Sequence, residues 1–426
     1  MIFPSDLLNP LPWLAENVSL SCVLGYIDPG TGSMLFSILI GIVAAAAFFV
    51  RKLWIRLKFL FRGGRMEKMD AAKLPLVIFS DSKRYQNVFY PIRQELERRG
   101  VDCEFWTASP DDPALSEEYH HVTCRFIGEG NKAYSRLNMM NAGICLATTP
   151  GLDVYQWKRS KNTDLYVHVQ HSIDDCTVYR MFGTDYFDAV LCVGDFVEQK
   201  LRKLEERWEL PSKEYRTVGA PFMDYLQARY DADHKEKTDD SITVLVAPSW
   251  GPSSLLNLYG EELLDSLLAT GYKIVVRPHP QSQTAEAELL NRLMAKYPEE
   301  KVRWNFDNDN FACLDGADIM ISDFSAVVFD YALVFDKPFL YAVGDFDDSP
   351  YDAHWLEDEA WNLQVLPRVG RELRAEDIPN LKSRIDEALR SDLYAAGREE
   401  LRSEAWAYRG HGAEKIADYL VGKLAR

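Results

Sequence analysis

Asp318-Ile-Met-Ile-Ser-Asp-Phe-Ser-Ala-Val-Val-Phe-Asp-Tyr331, with Lys337-Pro-Phe-Leu-Tyr341 just after it, is the stretch that decides the fold. An apolar strand over 319–321 runs into Ser322, Asp323 and Ser325, and Val327, Val328, Tyr331 and Ala332 then recur at helical spacing. A second apolar strand after Lys337-Pro338 completes a β-α-β unit. A strand, a polar turn and a helix start make an anion site: the unpaired N–H groups and partial positive charge of the helix meet short hydroxyl side chains. The same residue types also serve as plain helix caps, and this segment alone does not separate the two roles.

A partner lies upstream in Tyr272-Lys-Ile-Val-Val-Arg-Pro-His-Pro280. A buried parallel strand over 274–276 delivers Arg277 and His279 to its carboxyl end, which is where open α/β sheets bind ligands. Arg277 can pair with phosphate oxygens through two parallel hydrogen bonds. His279 sits between two prolines that restrict its backbone. Two such strand ends in one sheet point to a shared phosphate or diphosphate site, with Ser322, Asp323 and Ser325 as donor-binding candidates. Ser249, in Ala247-Pro-Ser-Trp-Gly-Pro-Ser-Ser254 after another strand of the same series, joins them, while Trp250 is read as packing.

The chain has 426 residues, of which 47% are hydrophobic, enough for about two or three domains with real cores. Strand and helix patterns alternate from residue 74 to 228 and again from 242 to 426. The charged, turn-rich run 229–241 reads as a linker between them. The expected fold is therefore α/β, with two Rossmann-like parallel-sheet domains facing a cleft lined by strand ends. The 7 cysteines show no CxxC or zinc-finger spacing and several lie in apolar runs, which suggests reduced, cytoplasmic thiols. The net charge of −17 argues against nucleic acid as a partner.

That charge is unevenly placed. Residues 1–32 form a short N-terminal segment that is extracytoplasmic or interfacial. Ser33 to Val50 carries no charge, and a spanning helix over 33–55 is long enough at roughly 17–25 residues. Arg51, Lys52, Arg56, Lys58, Arg62 and Arg65 follow it without an acid, and 56–73 reads as a basic juxtamembrane linker on anionic headgroups. A cleaved signal peptide would need its basic region before the apolar run. The positive-inside rule then places the N-terminus outside and the catalytic domains in the cytoplasm, on a single-pass anchor.

For chemistry, His171 is the candidate general base. It follows the strand 165–169 in Val-Gln-His-Ser-Ile-Asp-Asp175, its unperturbed pKa lies near neutrality, and Asp174 or Asp175 can orient it. His168, on the strand itself, is read as structural. His168, His171, Asp174 and Asp175 lack metal-ligand spacing, so no metal is expected. The absence of G-x-x-x-x-G-K-[ST] and G-x-G-x-x-G gives no support to a P-loop or a dinucleotide cofactor, and no tightly bound cofactor is expected.

Taken in order, His171, Gly219-Ala-Pro-Phe-Met-Asp224, Ala247-Pro-Ser-Trp250, Arg277-Pro-His-Pro280 and Ser322-Asp-Phe-Ser325 with Asp330-Tyr331 resemble the CDP-glycerol glycerophosphotransferase family of teichoic-acid primases and polymerases. The likeness spans roughly residues 160–420, while 76–150 share only the α/β pattern. It implies a GT-B fold at the membrane face, with a glycerol-phosphate unit passing from CDP-glycerol to a hydroxyl of a lipid-linked acceptor and CMP leaving. His171 matches the family's general base, His279 its second functional histidine, and Ser322, Asp323 and Ser325 its donor motif. The chain departs from the pattern at Ser172 (usually Gly), Gly251 (often Arg) and Ala326 (usually a second Ser). These departures bear on the donor, so a capsule-type transferase using a CMP- or UDP-sugar, a sugar-nucleotide epimerase and a non-catalytic membrane scaffold stay open as alternatives. The sequence leaves the acceptor and the oligomeric state open.

Overall fold

The computed structural model describes residues 72–425 apart from 236, 238 and 345. The N-terminal segment 1–32, the expected spanning helix 33–55 and nearly all of the basic stretch 56–73 lie outside the described residues. Among the described residues, no helix is long and apolar enough to cross a membrane.

The first lobe is a seven-stranded parallel sheet in the order β3-β2-β1-β4-β5-β6-β7. Its strands are β1 (Leu74–Ser80), β2 (Cys103–Thr107), β3 (Val122–Phe126), β4 (Asn141–Ala147), β5 (Asn162–Val169), β6 (Ala189–Cys192) and β7 (Glu214–Thr217). Alternation explains why β1 is apolar throughout. Leu76 and Ile78 face Phe89, Ile92 and Leu96 of the helix Gln86–Arg98. Val77 and Phe79 face the opposite layer, with Trp106, Leu137 and Trp157. A parallel strand covered on both faces must be hydrophobic at every position.

The second lobe repeats the plan with six parallel strands in the order β10-β9-β8-β11-β12-β13. They are β8 (Thr243–Val246), β9 (Lys273–Val276), β10 (Arg303–Trp304), β11 (Ile319–Ser322), β12 (Phe339–Tyr341) and β13 (Arg371–Glu372). Strand order reverses between β1 and β4 in the first sheet and between β8 and β11 in the second. Each reversal leaves a crevice at the carboxyl ends, where α/β proteins bind ligands.

The motif 219–224 is a helix start: Pro221 takes the first position of the helix Pro221–Asp233, where its missing N–H costs nothing. That helix runs into the expected linker, so the connection proper is 234–242. Beyond the second sheet lie the helices Ala395–Ala405 and Gly412–Leu424. The break between them returns the chain to the first lobe, where Gly412–Leu424 lies against Gln86–Arg98.

The return is fixed by a polar clasp. Asp224 accepts hydrogen bonds from the Trp406 indole (2.8 Å) and from the backbone N–H groups of Gly410 (2.7 Å) and Gly412 (2.9 Å). Gly219 completes it from the other side. Its φ is +88°, and a Cβ there would sit 2.1 Å from the Ala407 carbonyl oxygen. The motifs around Gly219 and Gly410 are two halves of one joint.

The lobes also share a core. Phe222, Met223 and Leu226 of the helix Pro221–Asp233 join Val328, Phe329 and Ala332 of the helix Val327–Val334, and both groups are continuous with the β1 face. Arg229 pairs with Asp309 at 2.8 Å. The loop 177–183 is sewn to 350–353: the Ala353 N–H donates to the Thr177 carbonyl (2.8 Å), and Asp352 accepts from the N–H groups of Phe182 (2.8 Å) and Gly183 (3.2 Å).

Gly219→Ala is expected to lower stability by about 2 kcal/mol or more, through a positive φ and a backbone clash together. It should also open the segment 406–424 to hydrogen exchange. Gly316→Ala, where a Cβ meets nothing within 4 Å, is the matched control and should leave the urea midpoint unchanged or slightly raised. Equal midpoints for the two variants would refute the clasp.

Candidate active site

His171 sits two residues past the end of β5, partly buried between two aromatic rings. Tyr179 stacks on it with centroids 5.8 Å apart and planes 3° from parallel, and Tyr85 meets it edge-on at 4.9 Å. Its Nδ1 lies 2.8 Å from the Thr148 hydroxyl, at the end of β4. Burial pulls its pKa down to about 4, the charge of His279 pushes it the same way, and the Thr148 backbone, as acceptor, opposes them. A ring whose Nδ1–H is given to Thr148 keeps the Nε2 lone pair free and is neutral at pH 7, which is the state a general base requires.

The orienting group is therefore Thr148, and neither expected aspartate takes that role. Asp174 is buried, with Ser172 and the Cys176 N–H (2.8 Å) on its carboxylate, and burial pushes its pKa up to about 6. Asp175 accepts from Thr177 through its N–H (3.0 Å) and hydroxyl (2.6 Å), and from the Trp361 N–H (2.9 Å). Both carboxylates shape the loop that carries His171. His168 is fully buried against Tyr179 and Phe187, and burial lowers its pKa to about 3, which fits a structural imidazole.

His279 comes from the other lobe. Its Nδ1 accepts the Gln281 N–H at 3.1 Å, so the neutral ring carries its proton on Nε2. The ring lies over Trp250 at 6.3 Å and 27°, which gives that tryptophan a place in the site beyond packing. Burial, then the charge of Arg84, lowers its pKa to about 4. One histidine is thus arranged to accept a proton and the other to donate a hydrogen bond, from opposite walls of one crevice.

The remaining expected ligands divide into those that build the wall and those that face the crevice. Asp323 is fully buried and holds two strand-end loops together. It accepts from the N–H groups of Ser249 (2.9 and 3.0 Å), Leu255 (2.9 Å) and Ser325 (3.0 Å), while burial pushes its pKa up to about 6. The Ser322 hydroxyl donates to the Ala247 carbonyl at 2.6 Å and is also buried. In this structure both are buried and bonded to protein groups, where they brace the strand-end loops. Ser325 is partly exposed, just before the helix Val327–Val334. Arg277 departs furthest from expectation: its guanidinium is held by the Asn305 side-chain oxygen and by the Asp307 carbonyl (2.9 Å), along the sheet toward β10. Gly251 has φ +95°, a conformation glycine adopts freely, so arginine there would strain the loop. Among the described residues, no group of three His, Cys, Asp or Glu side chains is placed to hold a metal ion.

Sequence reasoning passed over Thr148, Tyr85 and Arg84. A signal existed for Thr148, which directly follows β4, whereas Arg84 and Tyr85 lie in the turn beyond β1 and gain meaning only from the β1/β4 reversal, which depends on strand order.

Two Rossmann-like lobes closing on a crevice with one histidine from each define a GT-B-like architecture. Residues 201–356 match the family described as CDP-Glycerol:Poly(glycerophosphate) glycerophosphotransferase. The match includes Ser249, Arg277, His279 and Ser322 to Ser325; His171 precedes it. The chain is 24% identical over 191 residues to the teichoic acid glycerol-phosphate primase of Bacillus subtilis (strain 168), covering 41% of this chain and 46% of that protein. It thus spans about half the length of this curated relative. The fold is similar to that of the wall teichoic acid polymerase TagF, with a TM-score of 0.57 and 16% identity over 91% of this chain and 98% of that one. It is also similar to a Listeria monocytogenes protein described as a UDP-N-acetylglucosamine 2-epimerase, with a TM-score of 0.54 and 13% identity over 82% of this chain and 96% of that one.

Asp323→Ala strands three buried N–H donors and is expected to cost about 3 kcal/mol or more in urea denaturation, with donor binding lost as the two loops part. Asp323→Asn keeps an acceptor oxygen and should cost less. A variant with alanine as stable as the parent would overturn the scaffold role.

Proposed function

We propose that the protein transfers a glycerol-phosphate unit from CDP-glycerol to a hydroxyl of a lipid-linked cell-envelope acceptor and releases CMP. The observation that carries this reading is the pairing of His171 and His279 across the crevice, in a chain whose residues 201–356 match the glycerophosphotransferase family. The acceptor oxygen forms a bond to the β-phosphorus of the donor while its proton passes to His171 Nε2. The bond from that phosphorus to the bridging oxygen breaks, and CMP leaves with the electron pair. His279, with its Nε2–H, and the N–H groups at the start of the helix Val327–Val334 hold the diphosphate and meet the charge that gathers on the departing phosphate. Ser325 and Trp250 line the same wall.

The reading extends to location. The uncharged run over 33–50 with its one-sided basic flank supports a single-pass anchor with the catalytic lobes in the cytoplasm, next to a lipid-linked acceptor. A sugar-nucleotide epimerase has the same architecture but needs neither membrane nor lipid. Deletion of residues 1–65 should leave CDP-glycerol binding intact and remove most transfer to membrane-borne acceptor; undiminished transfer would count against the anchor.

Purified protein with CDP-glycerol and membranes should release CMP, and His171→Ala should lower kcat at least about a hundredfold. The pKa of His171 is lowered, so the unprotonated base is fully present at neutral pH and is lost only as pH falls through about 4. Accordingly kcat/KM should stay flat from neutrality down to roughly pH 5. An acid limb near the ordinary histidine value, or full activity in His171→Ala, would remove the assigned base.

A further inference from the structure

Three observations converge on the turn Lys83–Tyr85, which follows β1 at the reversal point of the first sheet. The turn is fixed on both sides. Ser82 accepts the Arg84 N–H at 3.3 Å, the Lys83 carbonyl accepts from Asn308 of the second lobe at 3.5 Å, and the Tyr85 ring rests on His171. Whereas Asp111 neutralises Lys83, Arg84 is exposed and forms no ion pair among the described residues. Its charge is felt at His279 across the crevice and at Asp81 beside it.

The crevice meanwhile lacks the cation the sequence leads one to expect. A diphosphate brings about two negative charges, and Arg277 is turned away onto Asn305 and Asp307. Arg180 is seated over the face of Trp250 at 5.7 Å. Neither histidine is charged at pH 7. Arg84, by contrast, has neither an acid nor an aromatic ring paired with it among the described residues, and it adjoins Tyr85, which packs on His171.

We infer that Arg84 is a donor-phosphate ligand contributed by the first lobe, closing the diphosphate site opposite His279 in the role Arg277 leaves unfilled. This rests on the reading of the crevice as a nucleotide-diphosphate site and adds a specific ligand to it. The donor is then gripped by both lobes. Its nucleotide end lies against the second lobe, and its phosphates bridge to a turn that packs directly on the general base. A guanidinium in that position offers two parallel hydrogen bonds to the leaving phosphate and places donor and base in one register.

The test uses the full-length protein and compares two ligands that differ only in the diphosphate: CDP, titrated by calorimetry, and cytidine, followed by saturation-transfer NMR. In Arg84→Ala, affinity for CDP should fall about tenfold or more, as expected for loss of charge-assisted hydrogen bonds, with cytidine binding unchanged. Arg84→Lys should recover part of the loss, since a point charge replaces the fork. Unchanged CDP affinity in Arg84→Ala would overturn the inference, as would parallel losses for CDP and cytidine, which mark a merely structural effect. Should the alanine variant not fold, Arg84→Lys and Arg84→Gln decide the same question, the glutamine variant being expected to bind CDP more weakly than the lysine. Failure of the parent protein to bind CDP at all would instead remove the glycerophosphotransfer reading on which the inference stands.

Discussion

The apolar layer shared by the two sheets governs everything else in this molecule. Helices Pro221–Asp233 and Val327–Val334 belong to different lobes, yet their buried faces are part of one continuous core. Each sheet is covered by helices of its own lobe, and at the junction those helices pack on one another. The separation of the strand ends across the crevice is therefore set by side-chain volume. Close packing makes that spacing stiff, because interiors tolerate neither voids nor overlap.

Burial then decides the electrostatics. The two imidazoles stand on opposite walls, and desolvation keeps both uncharged, each through a tautomer fixed by a local partner: Thr148 for His171, the Gln281 N–H for His279. In the proposed phosphate site, neutral rings alone would leave the ligand short of positive charge. The positive potential has to come from helix N–H groups and from arginines at the rim, which retain their charge without being buried. Buried carboxylates nearby serve as braces. Asp323 gathers three N–H groups, Asp352 two and Asp224 two plus an indole, and each tethers segments far apart in sequence.

The alternation of strands and helices, both sheets and the placement of the two histidines past strand ends were legible in the sequence, because a parallel strand buried on both faces is an unbroken apolar run and the loop after it is polar. Short edge strands were not legible: β7 (Glu-Tyr-Arg-Thr) and β13 (Arg-Glu) are charged, since one edge of each faces solvent. The direction of side chains was not legible either. Ser322, Asp323 and Arg277 stand at the right strand ends but turn toward the protein, a choice made by Ala247, Ser249 and Asn305, which are distant in sequence. Asp174 and Asp175 look like partners of His171 by proximity along the chain, whereas the partner in space, Thr148, comes from the neighbouring strand. Pairing across a sheet depends on strand order, which a local pattern does not contain.

The return of the last helix to the first lobe has a topological consequence. Lys73, Leu74, Lys423 and Leu424 line one small hollow, so the second lobe is an insertion within the first, hung from it by two crossings at 234–242 and 406–411. The first lobe is therefore complete only once its last helix has docked on Gln86–Arg98, after the whole second lobe has been laid down between its two parts.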